Sequence, residues 1–338
     1  MRILVTGGSG FIGSALIRKI ISDTDYKVVN LDDLTYSSVI NVHDNLLDNE
    51  RYAFEKGNIC DKFFLTHLFD KYKPNLIMNL AAETHVDNSI TGPEKFLQTN
   101  IIGTFTLLEV CLHYWKKLGV NDYNKFKFLQ VSTDEVFGDL KVNERKFSES
   151  HPYNPSSPYA ATKASADHLV RSWGRTFDFP YLISNCSNNF GPFQHSEKLI
   201  PKIVLSAIRG KEIPIYGNGM QIRDWLYVDD HADALLCIVE KSPIKESYNI
   251  GTNNEFTNID LTYLICEILD NIHPNKHKNI KTFKDLIVNV NDRPGHDKRY
   301  AIDPSKIFKN LKWKPSYNFS VHLRHTVKWY IENQSMFI

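Results

Sequence analysis

The sequence has almost no net charge to offer a partner, since 40 basic side chains stand against 39 acidic ones in 338 residues. No basic field draws it to nucleic acid or to an anionic membrane surface, and neither is expected as a partner. Cysteine is also scarce. The five copies, Cys60, Cys111, Cys186, Cys237 and Cys266, are odd in number, widely spaced and without a C-x-x-C pair. Neither a disulfide framework nor a zinc site is indicated, and a reducing, cytoplasmic compartment is the expectation. Missing too are an apolar run of about 18 residues and a basic-then-apolar leader before Arg2-Ile3-Leu4-Val5, so secretion and membrane spanning are not expected. There is no internal repeat, low-complexity tract or long linker. At roughly 150 residues per domain the length allows about two domains, enough to bury a core without staples.

Up to about residue 185, short apolar strand runs alternate with helical stretches. The strands are read at Ile3–Val5, Val28–Leu31, Tyr52–Phe54, Leu76–Leu80, Lys127–Val131 and Tyr181–Ser184. The helices are read at Ile12–Ser22, Lys62–Lys71, Glu94–Trp115 and Tyr159–Phe177. The strands lack a polar alternate face, which predicts a doubly wound parallel sheet covered by helices on both sides. Beyond 185 the rhythm breaks into Asn-, Gly- and Pro-rich loops, with helices near Lys198–Arg209, Asp230–Lys241 and Asp260–Ile272. The expected division is a Rossmann-type domain over 1–185 and a smaller α/β substrate lobe over 186–338, with a soft boundary across which segments interleave.

Thr6-Gly7-Gly8-Ser9-Gly10-Phe11-Ile12-Gly13 follows the first strand and opens the first helix. Gly7, Gly10 and Gly13 permit a tight turn, close approach of a pyrophosphate and tight helix packing, and the helix N-terminus offers free N–H groups to the phosphates. Asp32 ends the second strand 19 residues after Gly13. There a carboxylate accepts from both ribose hydroxyls and repels a 2′-phosphate, so NAD is favoured over NADP.

Tyr159-Ala160-Ala161-Thr162-Lys163 puts a phenol and an ammonium on one helix face. A phenol with a pKa near 10 is a poor base at neutral pH, and an adjacent cation is expected to lower that value. Taken alone the pair is weak evidence. Its meaning comes from the order of glycine turn, acidic strand end, Ser132-Thr133-Asp134-Glu135 after the Lys127–Val131 strand, and then the Tyr/Lys helix, because ligands of open α/β sheets bind beyond the carboxyl ends of the strands.

In this order the sequence resembles the extended short-chain dehydrogenase/reductase superfamily and, within it, the nucleotide-sugar 4,6-dehydratases, closest to the dTDP-glucose 4,6-dehydratases. The resemblance spans essentially the whole chain. Its specific words are Ser132-Thr133-Asp134-Glu135-Val136, Asn185-Cys186-Ser187-Asn188-Asn189, Glu197-Lys198-Leu199-Ile200-Pro201, Arg223-Asp224-Trp225-Leu226 and Arg293-Pro294-Gly295-His296-Asp297. It implies that Tyr159 takes the sugar 4-hydroxyl proton as hydride passes from carbon 4 to NAD, with Thr133 on the same oxygen and Lys163 holding the phenolate and the nicotinamide ribose. It implies further that Glu135 removes the carbon-5 proton, that protonated Asp134 serves the departing 6-hydroxyl, and that hydride returns to carbon 6. The product is a 4-keto-6-deoxy sugar, and tight, co-purifying NAD is expected.

The same resemblance places NAD against Gly7, Gly10, Phe11, Ile12, Gly13, Asp32, Asn58, Ile59, Leu80, Ala81, Ala82 and Asn100, besides Tyr159 and Lys163. It assigns the nucleoside diphosphate to Arg223, Arg293 and Asn258, with Asn185, Glu197, Lys198 and Leu199 near sugar and phosphates. Pro214 and Tyr216 flank the base, His296 and Tyr300 close over the nucleotide, and Glu83 and His85 are candidates for the sugar pocket. No metal is expected. His273/His277 and His322/His325 have helical spacing in contexts where solvated faces are commoner.

Four positions depart from the family pattern. Asn58 replaces an Asp at the adenine amino group, where its side-chain oxygen still accepts. Phe137 and Phe190 each lack a hydroxyl, and Asn88 replaces an Arg, giving Thr84–Ser89 a likeness to plant UDP-glucose dehydratases. dTDP-glucose is favoured as substrate, with UDP-glucose as the alternative. Competing readings are a 4-epimerase or decarboxylase of the same superfamily, or a non-catalytic NAD-binding regulator. The resemblance also implies a homodimer paired through Glu94–Trp115 and the Tyr/Lys helix.

Overall fold

The computed structural model describes residues 1–39, 42–273, 280–316 and 318–337; His277 lies outside them. In chain order the strands are β1 (Arg2–Thr6), β2 (Lys27–Asp32), β3 (Tyr52–Lys56), β4 (Leu76–Asn79), β5 (Lys127–Thr133), β6 (Tyr181–Cys186), β7 (Asn188–Phe190), β8 (Ile213–Tyr216), β9 (Ile222–Tyr227), β10 (Glu246–Ile250), β11 (Glu255–Thr257), β12 (Ile287–Val290) and β13 (Arg299–Tyr300). The α-helices are α1 (Phe11–Asp23), α2 (Lys62–Tyr72), α3 (Val86–Thr91), α4 (Glu94–Phe96), α5 (Thr104–Trp115), α6 (Val120–Tyr123), α7 (Pro158–Phe177), α8 (Leu199–Ile208), α9 (Val228–Lys241), α10 (Asn258–Ile272), α11 (Ser305–Leu311) and α12 (Phe319–Glu332).

Seven strands form one parallel sheet in the order β10-β6-β5-β4-β1-β2-β3. Alternate residues of β1 face opposite ways: Ile3 and Val5 pack with Leu16 and Ile20 of α1 and Leu235 and Ile238 of α9. Leu4 packs with Leu65 and Leu68 of α2, Leu107 and Leu108 of α5 and Val170 of α7. Both faces are therefore dry, which is why the strand runs show no polar alternation. Each such aliphatic side chain contributes about 1.5–3 kcal/mol by its burial. The strand order reverses between β1 and β4, and a crevice opens at their carboxyl ends.

Sequence periodicity predicts one helix over Glu94–Trp115, but the chain forms a π-helical segment over Leu97–Gly103 between α4 and α5. The wider turn carries Asn100 into the core. Its Oδ1 accepts from the Glu83 N–H at 2.9 Å, and its Nδ2 donates to the Glu83 carbonyl at 3.1 Å and to Thr162 Oγ1 at 2.9 Å. Beyond residue 185, β10 returns to the main sheet beside β6. Strand β9 organises a second sheet with β7, β11 and β13, while β8 pairs β12. Helices α8, α10 and α12 close a separate apolar core there around Trp225. Among the described residues no helix is long and apolar enough to cross a membrane, and no group of three or more His, Cys, Asp or Glu could hold a metal.

Candidate active site

The crevice begins at the glycine turn. Gly7 has φ +69°, and a Cβ there would lie 2.8 Å from the Ala81 nitrogen; at Gly13 a Cβ would lie 2.2 Å from the Gly7 carbonyl oxygen. Side chains at either position would fill the cradle. Helix α1 starts at Gly10 with no side-chain cap, so its first N–H groups stay available to an anion. Asp32 accepts from the Ser9 N–H at 2.9 Å, the Leu34 N–H at 2.8 Å and Ser38 Oγ at 3.0 Å. It thus shapes the turn while still lining the crevice. His43 adds a support that sequence reading missed: its Nε2 lies 2.9 Å from the Gly8 carbonyl.

Strand β5 delivers Thr133 to the crevice, and Asp134 and Glu135 follow in one 3-10 turn whose N-cap is Thr133. Helix α7, capped by Ser157 and begun with Pro158, brings Tyr159 and Lys163 opposite them. Burial, then Glu135 and Asp224, hold the Asp134 carboxyl well above the usual carboxylate range. Burial also raises Glu135, but Arg293, Arg223 and Lys198 pull it back. Adjacent acids thereby meet different fields. Asp134 Oδ2 and Glu135 Oε2 are both buried without a partner in the protein, as befits groups facing a ligand.

Tyr159 departs from the sequence expectation. Burial, Glu135, Cys186 and Asp134 push its phenol well above 10, opposed by a hydrogen bond with Thr133. Lys163 is occupied elsewhere, its Nζ donating to the Val131 carbonyl at 2.8 Å. Without a cationic ligand the phenol stays protonated, because the dry surroundings and then the nearby Glu135 and Asp134 disfavour the phenolate.

A second cavity adjoins the first and shares Thr84, Glu135, Asn188, Glu197 and Lys198 with it. Arg223 sits 4.2 Å over the Tyr300 ring and donates to the Asp297 carbonyl at 3.0 Å. Lys198 Nζ donates to the Thr84 carbonyl at 3.1 Å. Arg293 reaches Asp87 at 3.2 Å through NH1, and its buried Nε has no partner, nor has Asn258 Oδ1. With Arg223, Lys198 and the unpartnered Arg293 Nε as donors, this cationic chamber suits a diphosphate.

Residues 4–326 match the model of the family described as GDP-mannose 4,6 dehydratase. The chain is 51% identical to the dTDP-glucose 4,6-dehydratase of Haemophilus influenzae over 99% of both chains. It belongs to the dTDP-glucose 4,6-dehydratase family. Solved structures agree: the Bacillus anthracis dTDP-glucose 4,6-dehydratase in complex with NAD superposes with TM-score 0.85 at 41% identity, over 99% of this chain and 98% of that one. The Streptomyces venezuelae dTDP-glucose 4,6-dehydratase with NAD bound gives 0.89 at 36% identity, with the same coverage.

Against this dehydratase framework most expected ligand-binding residues line the two cavities. The first is lined by Gly7, Gly10, Phe11, Ile12, Gly13, Asp32, Asn58, Ile59, Leu80, Ala81, Ala82, Thr133, Asp134, Glu135, Tyr159 and Lys163. The second is lined by His85, Glu197, Lys198, Leu199, Pro214, Tyr216, Arg223, Asn258, Arg293, His296 and Tyr300. Asn100 and Asn185 stand behind the walls. Asn185 Nδ2 donates to the Thr133 carbonyl at 3.1 Å and so braces the strand end. Asn58 Oδ1 already accepts from the Cys60 N–H at 2.8 Å, while its Nδ2 donates to Asp33. Glu83 is raised by burial, and His85 Nδ1 caps α3 by accepting from the Asn88 N–H at 3.1 Å. Phe190 packs in the lobe core against Trp225, Tyr227 and Phe319, and Phe137 stacks on Phe147.

Sequence reading missed Asp87, which accepts from Tyr216 OH at 3.0 Å as well as pairing Arg293. Its only sequence signal is a place in the Thr84–Ser89 segment, and no periodicity joins residue 87 to residue 293. Thr99 and Ser38, which also line the first cavity, carry no motif of their own.

Proposed function

We propose that this chain is an NAD-dependent dTDP-glucose 4,6-dehydratase serving deoxysugar synthesis of the rhamnose type, in a reducing, cytoplasmic setting that suits its five free cysteines. The observation that carries the reading is the Asp134–Glu135 pair with its buried, unpartnered carboxyl oxygens, one acid held neutral and the other facing three cations, at the junction of a dinucleotide crevice and a cationic chamber. An epimerase has no need of two such carboxyls.

NAD held in the first cavity would accept hydride from carbon 4 and return it to carbon 6, and its positive ring charge would favour the Tyr159 phenolate. Tyr159 takes the proton of the sugar 4-hydroxyl as carbon 4 is oxidised. The ketone acidifies the carbon-5 hydrogen, and Glu135 removes it. Asp134 gives its proton to the 6-hydroxyl, which leaves as water. Glu135 then returns its proton to carbon 5 as carbon 6 is reduced. Tyr159 has gained the proton that Asp134 lost. Thr133 joins them, hydrogen-bonded with Tyr159 and 3.4 Å from Asp134 through Oγ1, so a proton passed along this row restores both groups.

With no reductant added, the expected product from dTDP-glucose is the 4-keto-6-deoxy sugar nucleotide. kcat/KM for UDP-glucose should be lower by about tenfold or more, as one methyl group in a fitted pocket allows. NAD-loaded, folded enzyme that forms no such product from either substrate would refute the reading. We also propose a homodimer, supported by the exposed Leu97, Ile102 and Phe105 beside α5 and Phe177 at the end of α7. Sedimentation should give about twice the 39.0 kDa chain mass; a monomer throughout the micromolar range would exclude it.

A further inference from the structure

Asp167 stands four residues beyond Lys163 and eight beyond Tyr159, on the same face of α7. It is fully buried. Its Oδ2 accepts from Ser132 Oγ at 2.7 Å and Tyr153 OH at 3.0 Å, and Arg171 donates in turn to Tyr153 OH at 3.3 Å. Its Oδ1 is buried and has no hydrogen-bond partner. Lys163 donates to the carbonyl of Val131, the residue before Ser132. Helix α7 and strand β5 are thus tied by two successive rungs, Lys163 to Val131 and Asp167 to Ser132, immediately before Thr133, Asp134 and Glu135.

We propose that Asp167 is a positioning residue for the reaction: it registers the strand end that carries the acid–base pair against the helix that carries Tyr159, and supplies the counter-charge that keeps buried Lys163 an ammonium. This rests on the roles given above to Tyr159 and Lys163. The groups facing the pair are few. Ser132 and the Val131 carbonyl come from β5, Cys186 from β6, Arg171 from α7, and Tyr153 from the connection between β5 and α7. Burial pulls the lysine below its ordinary value, and Asp167 leads the groups that raise it. Burial raises the Asp167 carboxyl, while Lys163, Ser132, Tyr153 and Arg171 favour its anion. A neutral side chain at 167 could keep part of the hydrogen bonding but none of the charge.

The test compares pH profiles of kcat/KM for the NAD-loaded full-length wild type, Asp167→Asn and Ser132→Ala. Removing the anion makes Lys163 easier to deprotonate, so the alkaline limb of D167N should move to lower pH by about 1–3 units, the range expected for loss of a close opposite charge. S132A keeps the carboxylate and loses one rung, so its limb should stay while kcat falls. Folded D167N with an unshifted limb overturns the inference, as does an equal shift in S132A. If D167N does not fold, the smaller neutral Asp167→Ser is read by the same criterion. If neither folds, Asp167 is a folding determinant and the positioning role is overturned. A wild type that forms no 4-keto-6-deoxy product fails the functional reading instead, so the two failures are separable.

Discussion

Glu135→Gln is expected to stop the reaction between its two halves. Mixed with dTDP-glucose, the variant should accumulate reduced cofactor and form the 4-keto-6-deoxy product about 10²–10⁴ times more slowly than wild type, the usual contribution of a placed general base. Glutamine keeps the volume and polarity of a half-buried side chain whose Oε2 is buried but cannot take a proton. Arg293, Arg223 and Lys198, which draw Glu135 toward its charged form, are left facing a neutral amide. Oxidation at carbon 4 does not involve this residue and should still proceed. Single-turnover absorbance of the reduced nicotinamide, read beside product formation, separates the steps. Full turnover to the 4-keto-6-deoxy product by E135Q would remove Glu135 from the proton transfer.

Tyr159→Phe should block the step before. Neither reduced cofactor nor product is expected above about 10⁻⁴–10⁻² of the wild-type rate, although the crevice keeps its shape. The ring remains packed edge-on to Phe96 at 6.4 Å, and the backbone N–H of residue 159 still donates to Ser89 Oγ at 3.2 Å. Only the hydroxyl next to Thr133 is lost. NAD should therefore still bind, as equilibrium titration with the oxidised cofactor can show. Y159F that reduces cofactor as fast as wild type would exclude the phenol as the base. The pair of variants is informative together: one halts with reduced cofactor, the other with oxidised.

Local patterns made much of this legible. The first six strands of the main sheet were readable within a residue or two because buried parallel strands are continuous apolar runs, and the glycine turn was readable because steric demands restrict residues 7 and 13 to glycine. Strand β10 was not. Glu246-Ser247-Tyr248-Asn249-Ile250 is half polar, and its burial depends on hydrogen bonds from elsewhere, such as Asn249 Nδ2 to the Phe147 carbonyl at 2.8 Å and Glu149 Oε1 accepting from the Asn249 N–H at 2.9 Å. The π-helical segment was hidden as well, since a single widened turn leaves the apolar spacing of Glu94–Trp115 nearly intact while redirecting Asn100.

By itself the sequence determined the parallel sheet, the glycine turn and the spacings that set Thr133, Asp134 and Glu135 together and Tyr159 and Lys163 on one helix face, because those follow from the steric and geometric needs of nearby residues. Only the tertiary structure decided their states. Asp134 and Glu135 are neighbours in the chain, yet Asp224 faces one while Arg293 and Lys198 face the other. The same folding buries Tyr159 among carboxyls and turns Lys163 toward a backbone carbonyl. Charge state depends on solvent exclusion and on groups far apart in sequence, and no local pattern carries either.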